Sequence, residues 1–188
     1  MNERDHRIIE AAQKVFTRYG FSKTTMNDIA REAGVARQTL YNAYPGKEEV
    51  LRATVEHVSI QTFQAVQKAW TDAATLSQKL DIFFELVPLK WYDMVISSPD
   101  AADLLEGVHA VAKQELSRDA ARWVEAFSEL LSKHAPHLST AGQNQEHIAE
   151  FIHSTSINAK YNVGSRSVLE ARLSILKKSV LALVQQND

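Results

Sequence analysis

The chain has no cysteine, which excludes disulfide scaffolds, thiol nucleophiles and cysteine-based zinc modules together. Glycine and proline are scarce, six and four in 188 residues, so low-complexity and collagen-like classes are excluded and each occurrence reads as punctuation. No run approaches the roughly eighteen uninterrupted apolar residues of a membrane span. The opening MNERDHRIIE is charged rather than a basic segment followed by an apolar one. Both features predict a cytoplasmic protein without membrane contact. Neither sign of charge dominates, with 21 Lys and Arg against 23 Asp and Glu.

Catalytic signatures are missing as well. There is no Gly-x-Ser-x-Gly, no phosphate-binding glycine loop, no His-Glu-x-x-His and no carboxylate cluster on one helical face, so no catalytic residue, no cofactor and no enzymatic activity are expected. His134 and His137 stand three apart with Pro136 between them, and His147 and His153 stand six apart. Neither pair has the ligand set of a metal site, and both read as ordinary histidines.

What is present is helical period. With 45% hydrophobic and 23% charged residues the composition is globular, and no strand alternation or repeat stands out. Ile8, Ala11, Ala12, Val15 and Phe16 form an apolar stripe in a helix from Arg4 to Tyr19, ended by Gly20. A long helix opens at Lys47 after Pro45-Gly46 and reaches Trp70. Leu76, Leu80, Phe83, Val87, Trp91 and Met94 or Val95 continue the period across Pro88, which removes a backbone bond and predicts a kink. Ser98-Pro99-Asp100 reads as a helix start. Stripes then follow over Leu104 to Leu116 and Ala120 to Leu131. Pro136 closes that region, and 137–145 reads as a loop. Two last helices run through Ile148 to Ala159 and Leu169 to Leu183. Small residues Ser154, Thr155, Ser156 and Ala159 permit close helix approach on the first of them.

The most informative stretch is Thr25 to Lys47, TMNDIAREAGVARQTLYNAYPGK. Thr25 caps a helix with Asp28 three places on. Ile29, Ala30 and Ala33 share a face, and Gly34 supplies the positive φ that stops it. A second helix follows Val35. Packing claims Val35 and Leu40 and leaves Ala36, Arg37, Gln38, Thr39 and Tyr41 outward. A helix that leads with Arg and Gln matches the major groove, where these side chains form paired hydrogen bonds to guanine and adenine. Residues 1–50 carry eight Lys and Arg against seven Asp and Glu, a net +1, and the remainder carries −3. Binding to DNA would therefore rest on local placement of Arg37, Lys47 and Lys23 more than on the overall field.

From Ile8 to about Ala53 the chain resembles the DNA-binding domain of the TetR family of transcriptional regulators. The resemblance is carried by Phe16, Tyr19-Gly20-Phe21, Thr24-Thr25, Ile29-Ala30, Ala33-Gly34-Val35, Thr39-Leu40-Tyr41 and Lys47-Glu48-Glu49. It implies an all-α protein, with a three-helix helix-turn-helix domain over 1–50 and a helical ligand-binding and dimerisation domain over 51–188. It implies phosphate contacts from Thr25, Thr39, Tyr41 and Lys47, and base contacts from Asn27, Arg37, Gln38 and Asn42. Ala36 lies on the same face. Tyr44 stands where the family more often has phenylalanine, so its ring packs while its hydroxyl points to a phosphate. Arg37-Gln38 replaces a pair that is often smaller, and Ala43 is smaller than the family's usual residue, so the operator does not transfer.

The resemblance further implies a homodimer through the last two helices, against an intrachain core as the plain alternative. It implies a small-molecule inducer that releases a repressor from its operator. Phe83, Phe84, Trp91, Tyr92, Met94, Trp123 and Phe127, with His109 and Tyr92 as polar contacts, are the ligand candidates, although aromatic residues at helical spacing also make ordinary core. An activator, a regulator answering to a protein partner, and a helical small-molecule-binding protein with a structural motif are the alternatives.

Overall fold

Local chemistry sets the helix boundaries of the first third of the chain. The computed structural model describes residues 2–96, 100–140 and 142–185. Among these residues every regular element is helical. Helix α1, Glu3–Tyr19, is capped by the Asn2 side chain, which accepts from the Asp5 amide, and stops at Gly20 with φ 76°. Helix α2, Met26–Ala33, opens on a reciprocal capping box between Thr25 and Asp28 and closes at Gly34 in the left-handed region, φ 62°. Helix α3, Arg37–Ala43, follows, and α4 runs Lys47–Trp70.

Helix α5, Leu76–Phe84, again starts with a capping box, Thr75 with Gln78. The expected kink at Pro88 takes a specific form: Glu85–Leu89 is a π-helical stretch containing the proline, and α6, Lys90–Ile96, continues from it. Wider winding accommodates a residue that cannot donate to the helical ladder. Helix α7 spans Ala101–Val111 with Asp100 at the cap position. The expected start at Ser98-Pro99 lies outside the described residues. Helix α8, Lys113–Leu131, leads through one 3-10 turn into α9, Ala135–Thr140. Helices α10, Gln145–Asn158, and α11, Arg166–Gln185, follow.

Two expectations are corrected. The stripe from Leu104 to Leu116 is broken at Ala112, whose φ of −105° and ψ of 28° lie outside the helical region. Pro136 does not end the helical region, because it sits in the first turn of α9, so that residues 137–140 of the expected loop are helical.

Compactness groups residues 1–61 with 95–119 in one unit and residues 62–94 with 120–188 in a second. The core of the first unit joins Ile8, Ala12, Phe16, Ile29, Ala30, Leu40, Val50 and Leu51, with Leu104, Val108 and Val111 of α7 packed against them. The core of the second unit is aromatic: Phe83 lies 4.8 Å from both Trp123 and Phe127, and Trp123 lies 4.9 Å from Phe63. Edge-to-face rings at these separations add about 0.5–1.5 kcal/mol per pair beyond burial. No described helix is long and apolar enough to cross a membrane.

Candidate nucleic-acid interface

Leu40 is the anchor of α3. It is fully buried, and burying a leucine contributes about 1.5–3 kcal/mol, enough to fix which face of this short helix turns inward. Val35 packs beside it. Ala36, Arg37, Gln38 and Asn42 are therefore turned outward and exposed, while Thr39, Tyr41 and Tyr44 are half-buried.

The outward side chains are ordered among themselves at the i, i+4 spacing that faces neighbours on a helix. The Arg37 guanidinium lies over the Tyr41 ring, 5.4 Å from its centroid, and donates to the Tyr41 hydroxyl at 3.4 Å. The Gln38 amide donates to the Asn42 side-chain oxygen at 2.9 Å. Holding a side chain before binding lowers the ordering cost of binding. The Gln38–Asn42 bond uses neither the Gln38 oxygen nor the Asn42 amide nitrogen, an acceptor and a donor of the kind that pairs with an adenine edge.

Thr25 and Asn27 are exposed at the start of α2. The Thr25 hydroxyl donates to the Asp28 carboxylate at 2.6 Å and accepts from the Asp28 amide at 3.2 Å. The bond donated by that hydroxyl, with another from the Thr25 amide at 3.1 Å, holds the Asp28 carboxyl below its ordinary range, and Arg31 assists at 2.9 Å. Tyr44 is pushed above the usual phenol range, chiefly by burial and then by the Asp5 charge. Lys47 has a different set of partners from the phosphate contact the resemblance implies. Its ammonium donates to the carbonyls of Phe21 at 2.9 Å, Ser22 at 3.1 Å and Thr24 at 3.1 Å, and lies 4.5 Å from the centre of the Phe21 ring. An ammonium has three donors, and all three are engaged within the turn between α1 and α2.

Sequence reasoning missed the groups that meet this turn from α7. Asp103 accepts from the Ser22 amide at 2.8 Å and from the Ser22 hydroxyl. Asp100 pairs with the Lys23 ammonium at 2.8 Å. Asp100 and Asp103 are three apart at a helix start, a spacing that reads as ordinary end charge, so only the tertiary partners reveal them.

The eight ligand candidates are not brought together as one lining. Phe83, Phe84, Tyr92, Trp123 and Phe127 are buried in the second unit's core. Trp91 is half-buried, with the Lys160 ammonium 3.8 Å above its ring. Met94 is 38% exposed. His109 lies on the exposed side of α7, in the first unit. An open groove of about 1010 Å³ between α8 and α10 is lined instead by Ala121, Val124, Glu125, Glu146, Glu150 and His153 among others.

Residues 8–54 match the family model described as bacterial regulatory proteins, tetR family. Over 143 residues the chain is 27% identical to the HTH-type transcriptional regulator YfiR of Bacillus subtilis, covering 70% of this chain and 65% of that protein. Over 53 residues it is 47% identical to the HTH-type transcriptional regulator SrpR of Pseudomonas putida, covering 28% of this chain and 25% of that one. It thus spans from a quarter to about two thirds of these relatives. A transcriptional regulator from Cytophaga hutchinsonii superposes with a TM-score of 0.73 at 21% identity, over 98% of both chains. The regulator FadR of Bacillus subtilis, in complex with stearoyl-CoA, superposes at 0.60 and 20% identity, over 97% of this chain and 99% of that one.

Proposed function

By its residues 8–54 this chain belongs to the TetR family of bacterial regulatory proteins, and from that premise we propose that it is a sequence-specific DNA-binding transcriptional regulator. One observation carries the reading: α3 is anchored by Leu40 while Arg37, Gln38 and Asn42 stand exposed. Such a surface has no packing role in the chain and matches the hydrogen-bonding edges of the major groove. Thr25, Asn27, Ala36, Thr39, Tyr41 and Tyr44 flank it as contacts to backbone and bases. Lys47 acts from within the fold, by holding the α1–α2 turn.

The regulator acts as a homodimer, since one short helix reads few bases and a two-fold pair addresses two half-sites. The last two helices offer the surface: Phe151 on α10 and Val168 and Ile175 on α11 are 44%, 43% and 65% exposed. Large apolar side chains left in water on adjacent helices favour a partner. Repression released by a small molecule is the mode we propose. The fold's occurrence in a regulator that holds stearoyl-CoA supports a ligand role for the second unit, where the π-helical stretch at Glu85–Leu89 adjoins buried Phe83 and Phe84. A ligand would have to prefer the conformer unable to bind DNA.

The test is replacement of Arg37 and Gln38 by alanine in the full chain, with binding measured on a duplex that the wild-type protein enriches from a random-sequence library. A loss of about 1–3 kcal/mol per base contact with unchanged helix content is expected. Unchanged affinity would remove both residues as readers.

A further inference from the structure

The turn joining α1 to α2 is held with unusual completeness, all of it inside the first unit. Gly20 has φ 76°, and a Cβ there would collide with the Asp103 carboxylate. A Cβ on Gly107 of α7 would lie 2.6 Å from Phe21, so two glycines permit the approach of α7 to this turn. Phe21, Ser22 and Thr24 give their carbonyls to Lys47. Ser22 gives its amide and hydroxyl to Asp103, and Lys23 its ammonium to Asp100. The buried Thr24 hydroxyl donates to the Gly20 carbonyl at 2.6 Å. The next residue is Thr25, which caps α2. Behind α7, the Arg52 side chain of α4 takes the Val111 carbonyl at 3.1 Å.

We propose that α7 is a working part of the DNA-binding unit, and that its Asp103, seconded by Asp100, is a positioning residue that holds the α1–α2 turn so that Thr25 and the start of α2 meet a DNA phosphate. The inference rests on the DNA-binding reading above and adds residues of the helix between 101 and 111 to it. Five consecutive residues before the α2 cap are each tied by a hydrogen bond, an ion pair or a steric limit, and α7 supplies the ties that the helix-turn-helix itself lacks. Placing two carboxylates near a phosphate-facing segment opposes anion binding unless each is already engaged by a donor. Here Ser22 holds Asp103 below the usual carboxylate range, and Asp100 raises the Lys23 ammonium above its ordinary value through their hydrogen bond.

The experiment uses the full chain and the enriched duplex. Asp103→Ala is expected to weaken binding about tenfold in the wild-type background and less than about twofold in a Thr25→Ala background. A residue that acts through Thr25 has nothing left to act on once that hydroxyl is gone. Equal losses in the two backgrounds overturn the proposal, because a general loss of fold gives that pattern. Asp103→Asn keeps an acceptor for Ser22 and is expected to retain most of the affinity. If Asn and Ala both tighten binding, the carboxylate merely repels phosphate and the proposal falls. Should Asp103→Ala lose helix content by circular dichroism, Gly107→Ala provides the same test by displacing Phe21 without changing charge, and is expected to show the same dependence on Thr25. Binding lost on Arg37→Ala yet indifferent to both α7 substitutions removes only the role of α7. A library that yields no enriched duplex removes the DNA-binding reading along with it.

Discussion

In the unit formed by 1–61 and 95–119, side chains direct their hydrogen bonds to turns and caps: Thr25 to Asp28, Lys47 to three carbonyls, Asp103 to Ser22. In the unit formed by 62–94 and 120–188, the central interactions are between rings, with Phe83, Trp123 and Phe127 mutually packed. The first kind of order specifies a backbone path and leaves polar side chains of α3 turned to solvent. The second specifies a volume, which many aromatic and aliphatic combinations fill equally well. In keeping with that contrast, the stretch matched by the family model, residues 8–54, lies within the first unit.

The largest effect belongs to the aromatic core. Trp123→Ala should destabilise the chain by about 3–5 kcal/mol, read as a fall in the thermal or urea midpoint. A loss below 1 kcal/mol would mean that the ring cluster is not what holds this unit. Next comes pH. Burial, then the Lys160 charge, depresses His153 to about 4, so this imidazole is neutral in the folded chain. Between pH 6.5 and about 4 the unfolded chain binds a proton that the folded chain does not, and stability falls as pH falls through that window, by roughly 3 kcal/mol. His57 and His134 shift in the same direction, so the diagnostic quantity is the difference between wild type and His153→Gln, which should lose much of this slope. Equal slopes would exclude His153 as the source.

The smallest effect sharpens the comparison most. Among the described residues each unit has a capping box, Thr25 with Asp28 in the first and Thr75 with Gln78 in the second. Thr25→Ala and Thr75→Ala should cost similar stability, about 1 kcal/mol each, but only Thr25→Ala should weaken DNA binding. If both weaken it equally, the phosphate role of Thr25 reduces to helix stability.

The readable parts of the sequence were those set by local chemistry. Thr25 and Gly34 bound α2, and Lys47 and Trp70 bound α4, where the residues said they would. The parts that were not readable depend on distant partners. Nothing within four residues of Ala112 signals a break, yet the Val111 carbonyl is taken by Arg52, 59 positions away. Lys47 reads as a phosphate ligand by position, and only the folded turn reveals three carbonyls around its ammonium. At Pro88 the disruption was legible but its π-helical form was not, since that depends on how the neighbouring core residues are held. The aromatic spacing from Phe83 to Phe127 marks burial equally for a core and for a ligand cavity, and the folded chain packs these rings against one another.

The central claim is that the surface headed by Arg37 reads base sequence. Its most direct test is enrichment of duplexes from a random library by the wild-type chain and, in parallel, by an Arg37→Ala, Gln38→Ala double variant of equal helix content. The account predicts that the wild type enriches an inverted repeat, with the two half-sites about 34 Å apart along the duplex, and that the double variant loses or changes the bases enriched. The same repeat recovered by both proteins, or no repeat from either, would contradict it.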